Sequence, residues 1–217
     1  MERTVTHEKP LDAAWSVAWI RGAAAAVAEH RDELTELDRA IGDGDHGINL
    51  DRGMHAAVAK LDSQDNVGGA PSPPASVFKA TATSLLATVG GAAGPLLGTA
   101  FLRASRACDV DVLSSQDVAT LLGEAAVGVQ MRGRAEVGDK TLVDALAPLV
   151  TAFDATDGSL HDRAAAAVTA AEAGAESTKA LQARLGRARP LGEKSVGVPD
   201  PGAVSLARIA AVVAAHA

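Results

Sequence analysis

Tyrosine is absent, and all aromatic residues together make up 2% of the chain. A core must therefore be assembled from Ala, Leu and Val, and the 47% apolar content supplies enough of them. Small side chains let helices approach closely, and Ala is the strongest helix former, so the expectation is an all-helical protein. Cysteine is almost missing. Cys108 stands alone, which excludes an intrachain disulfide and fits a reducing compartment. An excess of basic residues is lacking too. The formal charge is −7, against the basic footprint that sequence-independent nucleic-acid binding needs. The N-terminal "MERTVTHEKPLDAAW" has neither the basic start nor the apolar run of a signal peptide. "GAAAAVAEH" is apolar but far too short to span a bilayer. These absences point to a cytoplasmic protein without a membrane or nucleic-acid partner. Linkers are weak, so 1–217 reads as one domain.

What is present is helical periodicity. The stretch 10–41 places Leu11, Trp15, Trp19 and Gly22, then Leu34, Leu37 and Ile41, at helical spacing, with Pro10 suited to a start. Further helices are expected over 49–62, 76–89, 95–108, 114–133, 142–155, 159–184 and 203–216. Ser and Asp near the start of 114–133 are cap candidates, and Pro148 is a candidate bend. Breakers fill 63–76, and 185–202 has no period. The expected architecture is an all-α, single-domain, barrel-like bundle of about eight antiparallel helices.

Chemistry concentrates in "LDRAIGDGDHGIN". Asp38, Asp43 and Asp45 fall within eight residues, interleaved with Gly42, Gly44 and Gly47. Two carboxylates about 4 Å apart repel by roughly 4 kcal/mol at an effective dielectric of 20, so a cation is the natural occupant. The glycines spell G-x-G-x-x-G, but a helix precedes them where a dinucleotide site has a strand, and two aspartates would repel a bare pyrophosphate. An EF-hand loop counted from Asp43 has Met54 where the bidentate glutamate belongs. Gly133 and Gly138 have P-loop spacing, but Asp139 replaces the lysine. Carboxylates on a tight turn suit magnesium, which takes one or two carboxylates together with substrate phosphates. Taken alone, the stretch also reads as a solvated acidic turn, since Asp and Gly are common turn formers.

Other stretches bear on that choice. "VGGAAGPLLGT" sets glycines before a helix start, whose free N–H groups form an anion site, although small residues there also serve close packing. Arg132, Arg134, Lys140, Arg184, Arg187, Arg189 and Lys194 sit in Gly-rich stretches of an acidic chain, where some would face an anion and most would be surface charges. His46 adjoins the aspartates, either to bond a phosphate or ribose or to cap the turn. The remaining histidines read as surface positions. Trp15 and Trp19 read as core, and Cys108 as a small buried hydrophobe.

Four segments, "LDRAIGDGDHGINLDRGM", "VGGAAGPLLGTAF", "RGRAEVGDKTLVDAL" and "QARLGRARPLGEKSVGVPDPGAVS", together resemble the nucleotide-binding L subunit of bacterial dihydroxyacetone kinases. They keep that family's order and spacing from about residue 11 onward. The resemblance implies a barrel-like bundle of eight helices with a nucleotide site at one end. It implies that Asp38, Asp43 and Asp45 hold two magnesium ions. It implies ADP or ATP contacts at His46, Gly47, Ile48 and Asn49, at Ala92 and Ala93, at Gly133, Leu142 and Arg187, and at Asp200, Pro201 and Gly202. Relatives often carry Ser where this chain has Ala93, so one hydroxyl contact to phosphate is missing.

The resemblance also implies partners. A separate K-type subunit holds dihydroxyacetone through a histidine, and this chain presents the phosphoryl group without a catalytic residue of its own. A phosphotransferase-system protein recharges a resident ADP in one branch of the family. In the other, ATP exchanges and another short ketose is an acceptor. The family allows a homodimer. A nucleotide-loaded regulatory module that binds a transcription factor is the alternative from another class. The nucleotide domain of a fatty-acid kinase is a third, disfavoured by His46 and by the chain length.

Overall fold

A computed structural model describes residues 10–65 and 73–216. Of the breaker-rich stretch 63–76, residues 66–72 lie outside the described residues, as does His7, while 63–65 and 74–76 belong to helices and not to a loop. Among those described are nine α-helices: α1 (Ala13–Glu29), α2 (Arg31–Ile41), α3 (His46–Asp65), α4 (Pro74–Thr88), α5 (Ala93–Ala107), α6 (Ser115–Gly133), α7 (Val143–Ala155), α8 (Leu160–Ser177) and α9 (Pro201–His216). Two 3₁₀ turns, Thr178–Ala180 and Arg189–Ser195, lie between α8 and α9. No strand occurs among the described residues, only an isolated bridge between Leu11 and Leu113.

Eight of the helices form a closed ring. α1 packs on α3, each helix from α3 to α9 packs on the next, and α9 returns to α1. α2 stands outside the ring, against α3 and α9. The expected all-α barrel is therefore present, with one helix more than expected. The extra one arises because 10–41 breaks at His30 (φ −95°, ψ 7°), where no glycine or proline interrupts the periodicity.

Local chemistry accounts for the other ends. Asp12 accepts the Trp15 N–H at 3.0 Å and caps α1. Ser114 with Asp117, and Ser159 with Asp162, form reciprocal capping boxes at α6 and α8. α3 begins at His46, earlier than expected, because the Asp45 carbonyl accepts the Asn49 N–H at 2.9 Å. α8 stops at Ser177 rather than running to Arg184, and the Thr178 carbonyl beyond it is taken by the Lys140 ammonium at 2.7 Å.

Four of the five aromatic residues meet inside the ring. Trp15 stacks on Trp19 at 6.1 Å, and Trp19 meets Phe78 edge-on at 5.9 Å and Phe101 at 5.7 Å. This cluster ties α1 to α4 and α5. Ala, Leu and Val supply most of the rest, including Ala23, Ala82, Leu85 and Ala171. Burying each large apolar side chain contributes about 2 kcal/mol. Cys108 is buried as expected, and Pro148 lies inside α7. No helix among the described residues is long and apolar enough to cross a membrane.

Candidate functional site

Asp38 sits on the last turn of α2 and is buried. Its Oδ2 accepts the N–H groups of Asp45 (2.9 Å) and His46 (3.1 Å), so one carboxylate oxygen caps α3 across the turn. A negative charge there also suits the positive end of the helix dipole. Asp43 and Asp45 lie on the turn itself, and one oxygen from each of the three carboxylates falls within 4.8 Å of the others. Gly42 leaves room for this, since a Cβ at that position would collide with Asp38 Oδ1. Gly44 has φ +75°, a conformation that side chains resist. The space left beside Asp38 Oδ1 and the all-oxygen donor set fit a hard divalent cation.

The residues after the turn divide into two kinds. His46 Nε2 lies 3.0 Å from the Ser205 hydroxyl, which itself donates to the Gly202 carbonyl at 2.9 Å. Ser205 Oγ therefore accepts, His46 carries its proton on Nε2, and Nδ1 is left as an acceptor. Burial lowers the His46 pKa and outweighs the opposing charges of Asp38 and Asp45, which favours the neutral ring. Asn49 is buried, and its Oδ1 accepts from Arg52 at 2.7 Å. Its Nδ2 lies on the side of Gly90. Gly47 and Ile48 are outside this lining. Gly47 packs so tightly on α2 that a Cβ would collide with the Arg31 carbonyl, and Ile48 is 50% exposed.

Around the aspartate turn opens a cavity of about 420 Å³, within the usual range for small-molecule sites. Asp38, Asp43, Asp45, His46 and Asn49 form its acidic and polar wall. Gly90, Gly91, Ala92 and Ala93 bring the start of α5, where first-turn amides lack partners within the helix. Leu96, Val129, Leu142 and Val143 make an apolar wall, with Gly133 beside it. Arg187 enters from the segment between α8 and α9 and pairs with Asp43. Asp200, Pro201 and Gly202, at the start of α9, complete it. Asp200 Oδ2 accepts the Ala203 N–H at 2.8 Å, and burial pushes the carboxyl up to about 7.

Sequence reasoning left several supporting residues unmarked. Arg52 holds Asn49 and also donates to the Thr88 carbonyl at 3.0 Å, linking α3 to the end of α4. Ser205 orients His46. Lys140, marked only as a cation in a Gly-rich stretch, is no surface charge: it is 2% exposed and lies along the cavity lining. An arginine one turn after Asn49 was a legible signal, because residues three apart share a helix face. Nothing local marked Ser205.

The pattern for a DAK2 domain matches residues 40–215. The chain belongs to the DAK2 domain family. It is 39% identical over 196 residues to the ADP-binding subunit DhaL of the PEP-dependent dihydroxyacetone kinase of Escherichia coli, covering 88% of this chain and 90% of that one. It is 36% identical over 192 residues to the ADP-binding subunit DhaL of the PTS-dependent dihydroxyacetone kinase of Lactococcus lactis, covering 88% and 91%. It superimposes on a crystal structure of the dihydroxyacetone kinase from C. freundii in complex with AMP-PNP and Mg2+ (TM-score 0.71, 25% identity). That match covers 99% of this chain and 36% of the C. freundii chain. Its family relatives are subunits of phosphotransferases.

Proposed function

We propose that this chain is the nucleotide-carrying subunit of a dihydroxyacetone kinase. The observation that carries the reading is the meeting of the three-aspartate turn and the start of α5 in one cavity. Asp38, Asp43 and Asp45 hold two magnesium ions between them. Magnesium, when bound, neutralises charge on the phosphate oxygens during transfer. The first-turn amides of α5, at Ala92 and Ala93, cradle the phosphates, so the missing Ser hydroxyl at Ala93 is tolerated. Asn49 offers its amide N–H to an anion because Arg52 occupies its oxygen. Arg187, already beside Asp43, supplies a charge-assisted donor. The base rests against Leu142 and Gly133, with Asp200, Pro201 and Gly202 closing the site, while Gly47 supports it through packing.

No group on this chain attacks the phosphorus. The protein contributes positioning and charge, and the acceptor comes from outside. Dihydroxyacetone is held on a separate K-type subunit, and a phosphotransferase-system protein recharges the bound ADP. The PEP- and PTS-dependent relatives of matching length support resident ADP over exchanging ATP. The mouth of the cavity suits protein partners. The segments 131–140 and 184–196 expose six cations (Arg132, Arg134, Arg184, Arg187, Arg189 and Lys194) against two exposed anions, Glu136 and Glu193. Met131 and Val137 are exposed beside them.

Native mass spectrometry of the purified chain, with and without a chelator, tests this reading. A mass increment of ADP plus two magnesium ions, lost on chelation, is expected. A chain that binds added ATP only weakly would favour the exchanging branch. A chain that binds no nucleotide with magnesium present would refute the reading and leave the turn as a solvated loop. Phosphoryl transfer to a ketose in the presence of the K-type subunit separates the kinase from a purely regulatory module.

A further inference from the structure

Lys140 is the bulkiest of the fully buried side chains, and it occupies a left-handed conformation (φ +60°) that glycine adopts freely. A buried charge on a strained residue needs compensation. Its Nζ donates to the Thr178 carbonyl at 2.7 Å and to the Val198 carbonyl at 2.6 Å. Those two carbonyls are the two feet of one strap, the segment 178–200 that links α8 to α9. Burial lowers the Lys140 pKa, and the nearby charges of Asp200 and Asp144 act against that.

The strap closes on itself just above these feet. The Gly197 N–H donates to the Lys179 carbonyl at 2.8 Å, and the Asp200 N–H to Thr178 Oγ1 at 2.8 Å. Ser195 Oγ accepts the Ala183 N–H at 2.9 Å. A further tie runs from the Arg184 N–H to the Asp139 carbonyl, on the turn that carries Lys140. That turn is itself braced, because Asp144 accepts the N–H groups of Gly138 (2.6 Å) and Thr141 (2.7 Å). From the strap, Leu185, Gly186, Arg187 and Ala188 reach the cavity wall. The ammonium thus joins the far wall of the cavity to the turn that ends at Leu142.

We propose that Lys140 is a positioning residue: its buried ammonium pins both feet of the 178–200 strap and so sets how slowly the site releases nucleotide. The inference rests on the nucleotide reading above. It assigns Lys140 no contact with the nucleotide and no chemistry. A glycine would suit the backbone better, so the side chain is what the position requires.

The test uses Lys140→Met, which keeps volume without charge, and Lys140→Gly, which removes the side chain and relieves the backbone. Both are purified as the full chain, with helix content checked by circular dichroism. Two quantities are read: amide hydrogen exchange of the strap without nucleotide, and the dissociation rate of a fluorescent ADP analogue with magnesium. In both variants the amides of Ala183, Arg184, Gly197 and Asp200 should exchange faster by about tenfold or more, and the nucleotide should leave faster by a similar factor. Amides of α1 and α3 should not change. Wild-type exchange at the strap in Lys140→Met would overturn the inference. So would a loosened strap with unchanged nucleotide release. So would wild-type behaviour in Lys140→Gly, which would assign the role to the turn and not to the ammonium. Failure of the wild-type chain to bind nucleotide overturns the release role and the functional reading together, while strap exchange still reports the anchor. Should Lys140→Met fail to fold, Lys140→Gly carries the test alone, read at the same four amides and by the same dissociation rate.

Discussion

Asp45→Asn should make the metal-free protein more stable and the ligand-bound protein less so. The three carboxylates place oxygens within 4.8 Å of one another. At an effective dielectric of 20 that separation corresponds to about 3.5 kcal/mol of repulsion per pair. Asp43 is already paired with Arg187, so Asp45 acts mainly against buried Asp38. Asp45 is half-buried and screened by salt, which leaves about 1 kcal/mol to be relieved. Its helix-capping role runs through its backbone carbonyl, which Asn retains. For a chain of this size 1 kcal/mol moves the melting temperature by about 2–4 °C, so the variant should melt higher by that amount in chelator. With ADP and magnesium at about 100 times Kd, the wild type gains about 2.7 kcal/mol, and the variant should gain little. The order of the two melting temperatures therefore inverts between conditions. Scanning calorimetry in both buffers reads it directly. A variant that melts below the wild type in chelator refutes the repulsion argument, and one that keeps the full gain from ADP and magnesium refutes the metal assignment.

Gly47→Ala should lower stability by about 1–3 kcal/mol without touching the cavity wall, because its Cβ meets the Arg31 carbonyl of α2. Denaturant melts check this, and an unchanged midpoint would count against it. Asp200→Asn should gain more stability over the wild type at pH 8 than at pH 5. The Asp200 carboxyl is pushed up to about 7, chiefly by burial, from an ordinary value near 3.9. The folded state thus holds a proton that the unfolded state releases between about pH 4 and 7, so wild-type stability falls as pH rises through that window. A difference between the two proteins that is the same at both pH values would contradict it. Arg134→Glu, exposed between the cavity-lining Gly133 and Ala135, should raise the apparent KM for the proposed K-type subunit several-fold while leaving ADP affinity unchanged. Loss of ADP affinity instead would place Arg134 at the nucleotide.

The parts that could be read from sequence are those whose causes are local. Helical periodicity and small residues led to the all-α ring, and the Ser and Asp read as cap candidates form a capping box between Ser114 and Asp117, three positions apart. The aspartate turn was legible as a candidate cation site because its three carboxylates are close in the chain, and the structure brings them within 4.8 Å of one another. The second wall of the cavity was not legible from spacing, since Ala92, Leu142, Arg187 and Asp200 come from four separate segments. Only the resemblance to a family joined them. Lys140 shows the limit most clearly. A lysine in "VGDKT" reads as polar and solvated, and its burial depends on carbonyls at Thr178 and Val198, 38 and 58 residues away. No periodicity carries that information.

The glycine pattern of the same turn makes a related point about motifs. Gly42, Gly44 and Gly47 match a dinucleotide fingerprint in spacing, yet each is required for a different reason. Gly42 clears room for Asp38 Oδ1, Gly44 takes a positive φ, and Gly47 lets α3 lie against the Arg31 carbonyl. In a dinucleotide fold the glycines bring backbone to a pyrophosphate. Here the first two bring carboxylates together, and the third sets a helix contact. Helix-start amides without partners inside the helix line the cavity instead at the start of α5. The same spacing thus serves opposite electrostatic purposes, and what separates them is the helix before the turn and the charges inside it.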